Sequence, residues 1–255
     1  MSSYRTPRAL FLLMGVVLFF HVEINEAVVS ESQDKLTSLG IAGEKLDYTI
    51  TWQHFLNAAK ATMTLSRIKD RYHISTDASS AKWLKIFGVK VHDVISAEFS
   101  TDMTKSFYFK AEIEEGSFRK TKIITFDHEN KKIIYKDAKH PPLEYPLNPF
   151  TFDVLTAMYL LRTENFTVGE TIKYIIFDDK QEYVVDILVL KEEMLKIGGK
   201  KINTFKTQVL LKTSGIFNRK GNLYIWFADD PKKIPVQVQS KIFLGSFFAK
   251  YVGKI

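Results

Sequence analysis

The 255-residue chain contains no cysteine. That excludes disulfides, thiolate metal sites, a cysteine nucleophile and a lipidated cysteine anchor. It does not exclude an oxidising compartment, because a core of this size folds without covalent staples. Glycine (12) and proline (7) are sparse, so no stretch is collagen-like or of low complexity. There is no Gly-x-Ser-x-Gly elbow, no phosphate-cradling glycine loop, no HExxH motif and no pair of histidines at i, i+4. The apolar run near the N-terminus, Ala9 to Phe20, spans twelve residues, short of the ~18 or more expected of a membrane-crossing helix.

That run follows Arg5 and Arg8, the pattern of a secretory signal, with Asn25-Glu26-Ala27 as the cleavage region. The expected organisation is a signal peptide over 1–27, a flexible polar leader over 28–42 and a single β domain over 43–255. The expected location is the periplasm, with cleavage near Ala27; the alternative is an uncleaved anchor in the inner membrane. The net charge is +7, and the segment 1–27 holds two basic residues (Arg5, Arg8) and two acidic ones (Glu23, Glu26), so its removal leaves that balance intact. A basic balance favours acidic partners. The export signal argues against nucleic acid, and strand alternation accounts for the lysines and aromatics interleaved from Phe107 to Lys122.

Twenty Phe and eleven Tyr suit strands, where aromatic rings pack across the pleat. Leu46, Tyr48, Ile50 and Trp52 alternate with polar residues, and the same period of two recurs at Ala59–Leu65 and Tyr72–Ala78. Further strands are expected over 89–99, 103–113, 118–126, 131–135, 171–177, 183–190, 203–212, 223–227, 234–244 and 246–252. Glu115-Gly116-Ser117, Gly198-Gly199 and Asp229-Asp230-Pro231 supply turns between them. Residues 79–87 read as a short helix or loop with Trp83, Leu84 and Phe87 inward. About thirteen short strands with closely spaced turns indicate a sandwich or barrel, not parallel βαβ units.

Pro141, Pro142 and Pro146 interrupt this rhythm, and Asn148-Pro149 can open a helix over Thr151–Thr163. That segment is apolar nearly all round, the signature of a buried helix. Asp153 falls near its positive N-terminal end and Arg162 near its C-terminal end, where each charge is favoured.

The opening Gly43-Glu44-Lys45-Leu46-x-Tyr48 with Trp52 resembles the start of the bacterial exported family known as domain of unknown function 3108. Asp153-x-Leu155-x-Ala157-x-Tyr159-x-Leu161-Arg162 is similar to its middle. Gly215 to Phe217, Gly221, Ile225-Trp226, Asp229, Ile234-Pro235-Val236 and Gly245 are similar to its end, which is the most specific part. The resemblance spans about residues 43 to 252. It implies an envelope protein with an antiparallel fold of barrel type. It carries no established activity and so transfers no catalytic residue. The missing lipobox cysteine implies a soluble periplasmic form.

Six histidines offer no metal spacing: His73 and His92 fall on polar faces, and His54 follows the apolar face of its strand as a core histidine. Neither a metal site nor a cofactor is expected. Acidic pairs such as Asp178-Asp179 and Asp229-Asp230 sit at turns, where carboxylates are ordinarily solvated. The residues singled out for ligand binding are Trp52, Tyr159, Arg162 and Trp226, which would line an apolar cavity around the helix. The fold expected is all-β: an antiparallel meander forming a barrel or strongly curved sheet, plugged by one helix near 151–163. The expected function is a non-enzymatic periplasmic binding or envelope-assembly protein holding an anionic lipid or glycolipid. The alternatives are a glycan-acting envelope hydrolase and a structural partner of an outer-membrane complex, an envelope protein with no small ligand.

Overall fold

A period-two pattern buries one face of a strand, and consecutive strands joined by tight turns bury that face together. In the computed structural model the pattern builds β1 (Lys45–Trp52), β2 (Leu56–Ile68), β3 (Arg71–Ser80), β4 (Val91–Ser100), β5 (Ser106–Glu115), β6 (Phe118–Asp127) and β7 (Lys132–Asp137). The short strands β8 (Leu143–Pro146) and β9 (Thr151–Phe152) follow. Then come β10 (Thr171–Asp178), β11 (Gln181–Ile197), β12 (Lys200–Leu211), β13 (Asn222–Ala228), β14 (Pro235–Ile242) and β15 (Gly245–Tyr251). Two α-helices, α1 (Lys35–Ser38) and α2 (Val154–Leu161), complete the order, with a 3₁₀ helix at Lys82–Phe87. The structure describes residues 34–253 except 88–89, 212–221 and 243–244. The expected signal segment 1–27, residues 28–33 of the expected leader and the Gly215–Gly221 motif lie outside the described residues.

All fifteen strands form one sheet, in the order β8-β7-β6-β5-β4-β3-β2-β1-β15-β14-β13-β12-β11-β10-β9. The first and last strands pair in its middle, Tyr48 opposite Tyr251 and Ile50 opposite Ala249. Every neighbouring pair is antiparallel except β9 with β10, where Thr151 lies opposite Ile175. The sheet's two edges, β8 and β9, are separated by only residues 147–150 of chain. A flat sheet would hold them many strands apart; the short link forces it to roll until its edges approach. Contacts cross the resulting seam: Tyr145 of β8 meets Phe177 of β10 with ring centroids 5.2 Å apart, and Lys122 of β6 pairs with Asp178. The result is a rolled, barrel-like sheet with a seam, in line with the all-β expectation.

Antiparallel pairing places successive turns at alternating ends of the roll. At one end α2 lies across the mouth. Its N-cap Asp153 accepts from Leu155 N at 2.9 Å, Thr156 N at 3.0 Å and the Ser106 hydroxyl at 2.7 Å, which ties it to the start of β5. Its C-terminal Arg162 reaches the segment before β1 and the β13–β14 loop. Two apolar clusters, one running through β1–β7 and β13–β15 and one around β9–β13, both include residues of α2.

Five details differ from the sequence reading. The strand count is fifteen, not thirteen. Prolines read as breakers flank or end β8, and an edge strand tolerates proline because no ladder donor is needed on its free side. The helix is Val154–Leu161, not Thr151–Thr163, because the Asp153 cap fixes its start and residues 151–152 extend beside β10. Residues 34–42 are not a loose leader: α1 forms there, and Leu36 and Ile41 are each 0% exposed. Asp34 caps α1, and Arg67 of β2 pairs with its carboxylate at 2.6 Å. His54 is exposed in the β1–β2 turn, not in the core. The turn begins at Gln53, both residues take positive φ, and the alternation that placed His54 inside ends there. Its ring instead stacks on Phe248 at 3.4 Å.

Candidate functional site

Two of the four residues singled out from sequence come together. Tyr159 projects from α2 with its hydroxyl donating to Glu44 Oε1 at 2.8 Å. Arg162, 0% exposed, donates from Nη2 to Glu44 Oε2 at 3.0 Å and from Nη1 to Glu44 Oε1, and its Nε donates to the Lys232 carbonyl at 3.0 Å. The guanidinium lies 4.9 Å from the centre of the Tyr159 ring. Burial pushes the Tyr159 hydroxyl well above its ordinary range, and Glu44 adds to the effect. Burial opposes the charge on Arg162, but the Glu44 carboxylate outweighs it and holds the guanidinium protonated. This bidentate pair satisfies both members within the fold. Its geometry bolts α2 to β1 and to the β13–β14 loop.

The two tryptophans lie elsewhere. Trp52 ends β1 opposite Phe247, half-buried on the inner face at the end away from α2. Trp226 alternates with Ile225 and so lies on the opposite face of β13, but it is buried, 4% exposed, and belongs to the larger apolar cluster. Its Nε1 donates to Glu193 Oε1 at 2.6 Å, and the Lys206 ammonium sits 4.6 Å from its ring. Neither tryptophan shares a hydrogen bond or ring contact with Tyr159 or Arg162 among the described residues.

A different constellation forms where the seam closes, at the end of the roll away from α2. There β6, β7 and the β10–β11 turn converge on a cavity of about 430 Å³. Its lining includes Arg119, Lys120, Lys139 and Lys180 against the carboxylates Asp137 and Asp179, with Phe118 and Tyr135 as aromatic walls. Lys120 pairs with Asp179 at 2.8 Å, Lys180 with Asp137 at 3.4 Å, and Arg119 with Glu114 at 3.5 Å. The Lys180 ammonium lies 5.4 Å from the centre of the Tyr135 ring. Behind the cavity Lys122 and Asp178 form a buried ion pair. Burial pushes the Asp179 carboxyl up, but Lys122 and Lys120 together outweigh it and leave the group below its ordinary range. Asp137 also sits below its range: burial opposes this, and the backbone amides of Lys139 and His140 with the His140 ring prevail. Both carboxylates therefore stay ionised and the lining keeps its basic excess at neutral pH.

Sequence reading missed this site because its members lie on β6, on β7 and the loop after it, and on the β10–β11 turn, more than forty positions apart between Asp137 and Lys180. Only closure of the seam brings them together. The one local signal was Asp178-Asp179-Lys180. It reads as a solvated turn, yet Asp178 is buried against Lys122. Among the described residues no group of three or more His, Asp or Glu side chains is placed to hold a metal ion. Among the same residues no helix is long and apolar enough to cross a membrane.

The model of the family described as "Protein of unknown function (DUF3108)" matches residues 47–252. The chain belongs to the DUF3108 family. The match begins at Asp47 and ends at Val252, so it takes in the central β1–β15 pairing and both walls of the seam. No functionally curated protein matches this DUF3108 chain. Among solved structures it is similar to a beta-barrel-like protein of domain of unknown function DUF1849 from Brucella abortus. The two share 12% identity at a TM-score of 0.53, over 82% of this chain and 94% of that one. The likeness concerns the fold alone.

Proposed function

We propose that this DUF3108 protein is exported to the periplasm and binds an anionic lipid or glycolipid by its head group, without converting it. The observation that carries this reading is the seam cavity. Its volume suits a head group, and its lining holds four basic side chains against two carboxylates. The ammonium and guanidinium groups supply charge-assisted donors, and the exposed Phe118 offers a face to a sugar ring or glycerol backbone. The inner apolar faces are occupied by the two clusters and α2. Acyl chains would therefore leave the cavity along the outer surface and not enter the roll.

Calorimetric titration with dihexanoyl phosphatidylglycerol, a short-chain anionic lipid below its micelle concentration, tests the reading. Saturable binding is expected, at least tenfold weaker for dihexanoyl phosphatidylcholine and for Lys139→Glu/Lys180→Glu. Equal heats for both lipids, or an unchanged variant, would overturn it. A second reading is a structural partner of an envelope complex with no small ligand. It is favoured by the occupied interior and by the Glu44–Arg162–Tyr159 bolt, which needs no ligand to be satisfied.

A further inference from the structure

The end of the roll away from α2 differs in charge from the end that α2 covers. Among the described residues, the segments connecting strands at this far end carry Lys82, Lys90, Lys139 and Lys180 against the single carboxylate Asp179. The connecting segments at the α2 end carry eight carboxylates against six cations. The far end also presents two large apolar side chains to solvent: Phe55 in the β1–β2 turn is 77% exposed, and Phe118 at the β5–β6 turn is 42% exposed.

These groups form one continuous rim. The 3₁₀ segment docks on the start of β2, where Trp83 Nε1 donates to the Asn57 carbonyl at 2.9 Å and Ala81 N to the Ala58 carbonyl at 2.8 Å. Lys82 is thereby set beside the Phe55 turn. At the other end of the same connection, the Lys90 carbonyl accepts from Gly116 N at 2.7 Å, which sets Lys90 beside the turn that carries Phe118. Phe118 and Arg119 in turn line the seam cavity with Lys139 and Lys180. An arc of lysines thus runs from Phe55 to the cavity, with an exposed phenylalanine near either end.

We infer that this rim docks on an anionic lipid surface, with Phe55 and Phe118 entering the head-group region and the lysines facing lipid phosphates. A bilayer surface satisfies both features at once: it accepts apolar rings at the interface and attracts basic side chains through its surface potential. The partner's charge is set by complementarity, since lysines outnumber carboxylates in the connecting segments of this end and carboxylates outnumber cations in those of the other. Docking would hold the cavity mouth against the lipid layer, although it does not depend on the cavity being a binding site.

Sedimentation of the mature chain with vesicles tests this. Binding to vesicles of phosphatidylcholine with 30% phosphatidylglycerol is expected, with loss on raising salt and little binding to pure phosphatidylcholine. Phe55→Ser is expected to weaken vesicle binding at least about tenfold, the cost of losing one phenylalanine insertion. Lys82→Ala/Lys90→Ala is expected to weaken it roughly 25-fold, at about fivefold per lysine. Both variants touch exposed turns and should keep wild-type melting temperatures, which confirms that any loss is one of docking. Both should still bind soluble dihexanoyl phosphatidylglycerol, which separates docking from cavity binding. Equal sedimentation with neutral and anionic vesicles, or unchanged sedimentation of the Phe55 and lysine variants, overturns the inference.

Discussion

Replacing Arg162 with methionine removes the guanidinium and keeps most of the side-chain volume. Three hydrogen bonds are lost, two to Glu44 and one to the Lys232 carbonyl. What remains is more costly than what is lost. Glu44 stays at the buried end of α2 as a carboxylate whose single described side-chain donor is Tyr159. Breaking a buried ion pair by deleting one partner costs about 3–5 kcal/mol, most of it from the charge left behind. Urea denaturation followed by tryptophan fluorescence measures the effect. With a slope near 3 kcal/mol per molar, the midpoint should fall by about 1–1.7 M. The double variant Glu44→Met/Arg162→Met removes both charges and leaves only the Tyr159 hydroxyl and the Lys232 carbonyl unpartnered. It should lose less than Arg162→Met alone. A single variant within about 0.5 kcal/mol of wild type, or a double variant whose loss equals the sum of the two singles, would refute the pairing argument. Intact stability with lost ligand binding would make Arg162 a site residue instead.

Three further outcomes follow from the geometry. Asp93 is buried in β4, and burial pushes its carboxyl up to about 7, with Glu114 N donating to it at 3.1 Å. The folded state then holds a proton that the unfolded chain releases near pH 4, so Asp93 costs stability progressively as pH rises from about 4 to 7. Asp93→Asn should be more stable than wild type at pH 8 by on the order of 1–3 kcal/mol and indistinguishable from it near pH 4, measured as the difference between the two melting curves. Asp153→Ala should cost about 2 kcal/mol or more in urea denaturation, because it strips the α2 cap and leaves the buried Ser106 O–H without its acceptor, whereas Asp153→Asn should cost less. Intact mass of protein recovered from its native source should be short by about the first 27 residues; a full-length mass in the membrane fraction would favour the anchored alternative.

The alternation of Leu46, Tyr48 and Ile50, and of the strands after it, made the sheet legible, because period two admits one buried face and little else. The roll was less legible. It follows from a link of four residues between the two edges, and prolines at both ends of that region mask β8 as a loop. The α2 bolt was half visible. Arg162 at the end of an apolar helix demands a partner, but nothing local names Glu44, more than a hundred positions earlier. The seam cavity was invisible for a related reason. Lys120, Asp137 and Lys180 each read as ordinary surface charge until the two edges meet. His54 shows the opposite failure, since a face assignment carried one residue too far enters the turn.

The most direct test of head-group binding is native mass spectrometry of protein purified without detergent from its native source, paired with organic extraction of the same sample. The expected result is one anionic lipid or glycolipid per chain in the wild type and bare protein for Lys139→Glu/Lys180→Glu. Bare wild-type protein that also takes up no anionic lipid probe at micromolar concentration would contradict the account and leave the structural-partner reading in its place.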